Sequence, residues 1–126
     1  MKEAILVSEA APPGGTYSHA VRAGSLIFLA GCTPHRSDGA QVIGDFEEQA
    51  LQAFENIRII AEAAGSSLHN AVRVGVYLKN MDNFAHMNTL FERYFGSENA
   101  PVRTTLPVPE LAFDIEIDAI LEANNS

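Results

Sequence analysis

The sequence predicts a two-layer α+β fold, with helices packed on one face of a mixed, mostly antiparallel sheet, and three observations lead to it. Several short segments alternate apolar and polar residues, the period of a strand with one face buried. Two longer segments repeat apolar residues at helical spacing. Helices this few, joined to strands by mostly antiparallel connections, have one sheet face to cover. The length, 126 residues, suits one core, so residues 1–126 are expected to form a single domain.

Ala4 to Val7 reads as a short strand, and the Pro and Gly residues between Ala10 and Thr16 break regular structure after it. From His19 to Ala30 two apolar runs flank Ala23-Gly24-Ser25, a hairpin whose second arm is Leu26 to Ala30. Gly31 to Gly44 is polar and rich in turn residues. Asp45 caps a helix with Glu47 and Glu48 at its positive end, and Phe46, Ala50, Phe54, Ile57, Ile60 and Ala64 line one side up to Gly65. Val72, Val74, Val76 and Leu78 then alternate as a strand.

Asn80 to Asn83 cap a second helix that carries Phe84, Met87, Leu90, Phe91, Tyr94 and Phe95 and stops near Gly96, with Pro101 closing the loop. Val102 to Val108 and the alternating Phe113, Ile115, Ile117 and Ala119 supply two more strands, giving the order βββαβαββ. Val21, Ile27, Leu29 and Leu106 lie on strands whose two faces are not cleanly wet and dry, so self-association is expected to cover the second sheet face.

Composition narrows function. The chain is 47% hydrophobic and 19% charged, with 8 Lys and Arg against 16 Asp and Glu, a formal charge of -8. Such a surface repels phosphate backbones, and the basic residues are scattered, so nucleic-acid binding is disfavoured while a small anion facing one arginine is not. The single cysteine, Cys32, makes no intramolecular disulfide, and no signal peptide or membrane-length apolar run is present, so a soluble cytoplasmic protein is expected.

Local motifs leave function open. There is no Gly-x-x-x-x-Gly-Lys loop, Gly-x-Gly-x-x-Gly turn, His-Glu-x-x-His, Cys-x-x-Cys or Gly-x-Ser-x-Gly elbow. His19, His35, His69 and His86 are dispersed without ligand spacing, so no metal site is expected.

Several segments in order nevertheless resemble the reactive intermediate deaminase family, also called RidA or YjgF. They are Gly15-Thr-Tyr17-Ser-His-Ala20, Phe28-Leu-Ala-Gly31 with Pro34, Gln49 and Asn56, Ala63-Ala-Gly65-Ser-Ser, Val76-Tyr-Leu-Lys-Asn-Met-Asp-Asn-Phe84, Asn88, Tyr94-Phe95, Ala100-Pro-Val-Arg103-Thr and Glu116-Ile-Asp-Ala-Ile120. The resemblance spans nearly the whole chain. It implies a chorismate mutase-like fold, a homotrimer with three clefts between subunits, and cofactor-free hydrolysis of enamine or imine acids such as 2-aminoacrylate and 2-iminopropanoate to a 2-oxo acid and ammonia.

The resemblance also assigns roles. Arg103 matches the family arginine that binds the substrate carboxylate, and a guanidinium presents a planar fork that stays charged at all working pH. Glu116 matches the glutamate that positions the attacking water and moves protons. Tyr17 matches a cleft tyrosine, Gly31 falls at a substrate-binding position, and Thr105 stands where backbone groups hold the substrate and many relatives have cysteine. His19 replaces a common glutamine and Cys32 another. Both are expected at the cleft, His19 as a polar substitution or a proton relay and Cys32 as a bland thiol without an evident activating base.

The plain alternatives are a salt-bridge arginine, a solvated acidic face of Asp114, Glu116 and Asp118, and an aromatic at a subunit boundary for Tyr17. His19 with Arg103-Thr-Thr105 also resembles the 2-aminomuconate deaminase branch of the superfamily. A non-catalytic trimer sensing 2-oxo acids or amino acids would use the same arginine. A ribonuclease reading, sometimes attached to the family, fits poorly with the charge of -8.

Overall fold

Strands and helices follow the periodicities, in a computed structural model that describes residues 1–124. Their order is β1 (Glu3–Ile5), β2 (Ala20–Ala23), β3 (Leu26–Cys32), α1 (Phe46–Ala63), β4 (Ala71–Leu78), α2 (Phe84–Phe95), β5 (Val102–Pro107) and β6 (Ile115–Glu122). Single 3-10 turns at Leu68–Asn70 and Met81–Asn83 lead into β4 and α2.

Helix α1 begins where its first residues dictate. Asp45 is extended, and its Oδ1 accepts the N–H of Glu48 at 3.0 Å, while Glu47 and Glu48 occupy the first turn. At the far end Gly65 takes a positive φ of 85°, the left-handed conformation that closes a helix without a Cβ clash. The N–H of Gly65 donates to Glu62 and that of Ser66 to Ala61, at 3.1 and 3.0 Å, so two terminal carbonyls are satisfied. Asn80 caps the preceding 3-10 turn, accepting from Asp82 at 2.9 Å, and not α2 itself, which starts at Phe84.

The strands form a six-stranded sheet in the order β1-β2-β3-β6-β4-β5, antiparallel except for the parallel pair β4 and β5, which α2 connects. Both helices pack on one face, over Ile27, Leu29, Val74, Val76, Leu78, Ile115, Ile117 and Leu121, all buried. An aromatic cluster locks α1 to α2: Phe54 stacks on Tyr94 at 5.0 Å and Phe91 on Phe95 at 4.4 Å. Such pairs are worth about 0.5–1.5 kcal/mol beyond their buried area.

Three expectations change. The first strand ends at Ile5, and Val7 lies buried beyond it with its N–H given to His19. Val72 is 39% exposed and not part of the buried alternation, because β4 advances two residues, Ala71 to Arg73, while β6 advances one. Val72 is the extra residue of that bulge. Ile27 and Leu29 face the helices, whereas Val21 and Leu106 lie on the uncovered sheet face as expected, together with Phe28, Ile120 and Val102.

Candidate active site

The residues singled out in the sequence fall into two groups on different parts of the sheet. Arg103 and Thr105 lie on the edge strand β5 and pair with Val74 and Val76, which point at the helices. Glu116 pairs with Tyr77, and Tyr77 with Leu106, on the opposite, open face. One copy of the chain therefore does not bring Arg103 and Glu116 together.

Arg103 is held like an anchor. Its Nη2 donates to Asn88 Oδ1 at 2.7 Å, and its guanidinium carbon lies 4.7 Å from the Phe91 ring centre and 5.6 Å from that of Phe84. The aromatic faces fix the plane of the fork and supply cation–π attraction. Burial lowers its pKa, but an arginine starts so high that it stays charged. Among the described residues no carboxylate pairs with it. Two residues on, the Thr105 hydroxyl is buried without a hydrogen-bond partner, an unpaired polar group on the same side of the strand.

The other group lies around the end of β3. There the pairing passes from Leu29–Ala119 to Cys32–Ile117, three residues against two, and this bulge turns Gly31 toward Glu116. A Cβ on Gly31 would sit 2.2 Å from Glu116 Oε2, so a side chain there would push the Glu116 carboxyl out of its present place. Glu116 is half-buried, and its pKa is raised, first by desolvation and then by the charge of Asp118.

Asp118 is itself fully engaged. It accepts from Arg73 Nη1 at 3.0 Å, the Gly75 N–H at 3.1 Å and the Tyr77 hydroxyl at 2.9 Å. Among the described residues no hydrogen bond reaches the Glu116 carboxyl.

A cavity of about 440 Å³ opens on the far side of Gly31, walled by Pro12, Pro13, Tyr17, Cys32, Ile60 and Phe113, with no Lys or Arg among its lining residues. Tyr17 stands half out at its rim with its hydroxyl oxygen accepting from the Gly14 N–H at 3.0 Å, which leaves the phenolic proton to donate. His19 forms part of the wall. Its Nδ1 accepts from Val7 at 2.9 Å and its Nε2 donates to the Ala11 carbonyl at 2.7 Å, so both nitrogens are used and one neutral tautomer is fixed.

The Cys32 thiol is buried, and desolvation, then Glu116 and Asp118, push its pKa up to about 12, so it stays protonated. Among the described residues no three His, Cys, Asp or Glu side chains cluster as metal ligands. None of the helices described is long and apolar enough to cross a membrane.

Sequence reasoning gave no role to Phe84, Met87, Asn88 and Phe91, which orient Arg103, nor to the Arg73, Gly75 and Tyr77 set around Asp118. The period of α2 carried the first signal, since Phe84, Asn88 and Phe91 recur at three- and four-residue spacing on one side. The second required knowing that β4 pairs with β6.

A mixed sheet with two helices on one face defines a class of small α+β proteins, and the comparisons place the chain within it. Residues 8–123 match the family described as Endoribonuclease L-PSP. A RutC family protein of Pyrococcus horikoshii is 44% identical over 123 residues, covering 95% of this chain and 97% of its own. The 2-iminobutanoate/2-iminopropanoate deaminase of Salmonella typhimurium is 32% identical, with 94% of each chain covered. The crystal structure of the YjgF gene product of Escherichia coli superposes with a TM-score of 0.87 at 31% identity, covering 97% of this chain and 99% of that one. The chain belongs to the RidA/YjgF family.

Proposed function

We propose that the protein is a hydrolytic deaminase of small enamine and imine acids of the 2-aminoacrylate and 2-iminopropanoate type, acting in the cytoplasm as a cofactor-free homotrimer. The observation that carries this reading is Arg103, a charged fork fixed by Asn88 and Phe91 with no carboxylate partner among the described residues and an unpaired Thr105 hydroxyl beside it. In a trimer the β5 edge of one copy faces the Gly31, Tyr17 and Glu116 surface of the next, and the two half-sites make one cleft. The deaminase name of the Salmonella relative supports the choice of substrate class.

In this cleft Arg103 holds the substrate carboxylate bidentately, and Tyr17 donates its phenolic proton to a substrate oxygen. Water attacks the imine carbon as Glu116 takes one of its protons. Glu116 gives that proton to the nitrogen, and the hydroxyl proton of the resulting carbinolamine follows through the same carboxyl to the nitrogen as the C–N bond breaks, so ammonia leaves and the C–O bond becomes the carbonyl of a 2-oxo acid. Imine and water thus balance 2-oxo acid and ammonia without redox change. An enamine first takes a proton at its β-carbon to enter the same path. Small imines already hydrolyse in water, so holding substrate and water together accounts for much of the required acceleration.

The commitment of both His19 nitrogens to the backbone favours this reading over the 2-aminomuconate branch, because it leaves no imidazole nitrogen free for a proton relay. The charge of -8 likewise favours a small anion on one arginine over a nucleic acid.

The test generates 2-iminopropanoate with an amino acid oxidase, traps remaining imine with semicarbazide, and compares wild type with Arg103→Ala. Wild type is expected to lower the trapped imine, and Arg103→Ala to lose activity by on the order of 100-fold while keeping its fold. Trapping equal to buffer alone removes the reading and leaves a 2-oxo acid sensor as its successor.

A further inference from the structure

We infer that Asp118 is a positioning residue for Glu116, a fixed negative charge clamped by Arg73, Tyr77 and the Gly75 amide that acts together with burial to set when Glu116 holds its proton. The inference rests on Glu116 as the proton carrier proposed above.

Alternation on β6 puts the two carboxyl groups on the same face, two residues apart, a rise of about 6–7 Å. Charges at that separation on a half-buried surface still interact. Asp118 receives three donors, one of them a guanidinium, whereas Glu116 receives none among the described residues, so of the two Asp118 is the one held in place. The clamp depends on glycine at 75, where a Cβ would lie 2.4 Å from Asp118 Oδ1 and 2.6 Å from the Tyr77 hydroxyl.

The other neighbours of Glu116 are accounted for. From β3 comes the uncharged Cys32 thiol, and from β4 the Tyr77 hydroxyl, occupied by Asp118, and Arg73, paired with Asp118. Asp114, just before β6, is tied to Gln49 of α1 at 3.2 Å. The helices lie on the opposite face of the sheet. A carboxyl that keeps its proton nearer neutrality is better matched to protonating a departing nitrogen, and the upward pKa of Glu116 agrees with this arrangement.

The test follows the Glu116 carboxyl directly, by NMR titration of the full-length protein labelled with ¹³C at its glutamate carboxyl carbons, with the signal identified by its loss in Glu116→Gln. In Asp118→Asn the midpoint is expected to fall by about 0.5–1 pH unit. In Arg73→Gln, which leaves Asp118 less neutralised, it is expected to rise. A role confined to structure moves neither midpoint in opposite senses.

The pH dependence of kcat on 2-iminopropanoate is expected to shift in the same two directions. An unmoved midpoint in folded Asp118→Asn, or movement of both variants the same way, overturns the inference. If Asp118→Asn does not fold, Arg73→Gln decides alone: a rise supports the inference and no rise overturns it. Midpoints that move as stated with no turnover by wild type remove the deaminase reading and leave the coupling, whereas turnover with unmoved midpoints removes the coupling alone.

Discussion

Burial and Asp118 both favour the neutral carboxyl at Glu116, so the folded chain binds that proton more tightly than the unfolded chain does. For a group raised in this way, the contribution to stability is full below the ordinary glutamate value and is lost as pH rises through the raised one. Glu116→Gln removes the titration and is expected to raise Tm near neutral pH by roughly 2–5 °C. At about pH 4, below the ordinary value, the two proteins are expected to melt together. Thermal melts at the two pH values check this; a variant that melts lower at neutral pH makes Glu116 a structural residue. The identity of Arg103 and Glu116 as candidates was open to a reader of the sequence only through the family resemblance, since one arginine and three alternating acids have many uses. Their separation onto two sheet faces was not readable at all, because it depends on the register of β5 on β4 and of β4 on β6.

Local physics explains which elements were readable. Asp45 and Gly65 act on their own helix ends, so the sequence marks both limits of α1. Asp45→Ala is expected to lower unfolding stability by about 1 kcal/mol through the lost bond to the Glu48 amide. Chemical denaturation measures it, and an unchanged midpoint means the amide finds another acceptor. The bulges behave differently. Val72 reads as one more buried residue of β4, and only its pairing with β6 turns it outward. The bulge near Gly31 likewise arises between two strands far apart in sequence, so the close approach of Glu116 to Gly31 has no local signature.

The whole molecule leaves one sheet face without helices, and along it register aligns Val21, Phe28, Ile120, Arg73 and Val102. Phe28 is 41% exposed and Val102 69%. The proposed trimer buries this row, so Phe28→Asp is expected to dissociate it, with sedimentation velocity reporting monomers and imine turnover falling in parallel as half-sites separate. A wild-type protein that sediments as a monomer at micromolar concentration overturns the trimer. Of the four residues that the strand pattern singled out for cover, Val21 and Leu106 lie on this face, whereas Ile27 and Leu29 belong to the core.

Strand β5 is one of the two outer strands of the sheet, and an unprotected outer strand invites another chain to add itself there by backbone pairing, the first step toward fibrous aggregates. Pro101 precedes it, Pro107 ends it and Pro109 follows, and proline has no N–H to offer an incoming strand. The border that carries Arg103 is thereby open to side chains of a neighbour while its flanks resist indiscriminate growth. Replacing these prolines is expected to open this border to strand addition.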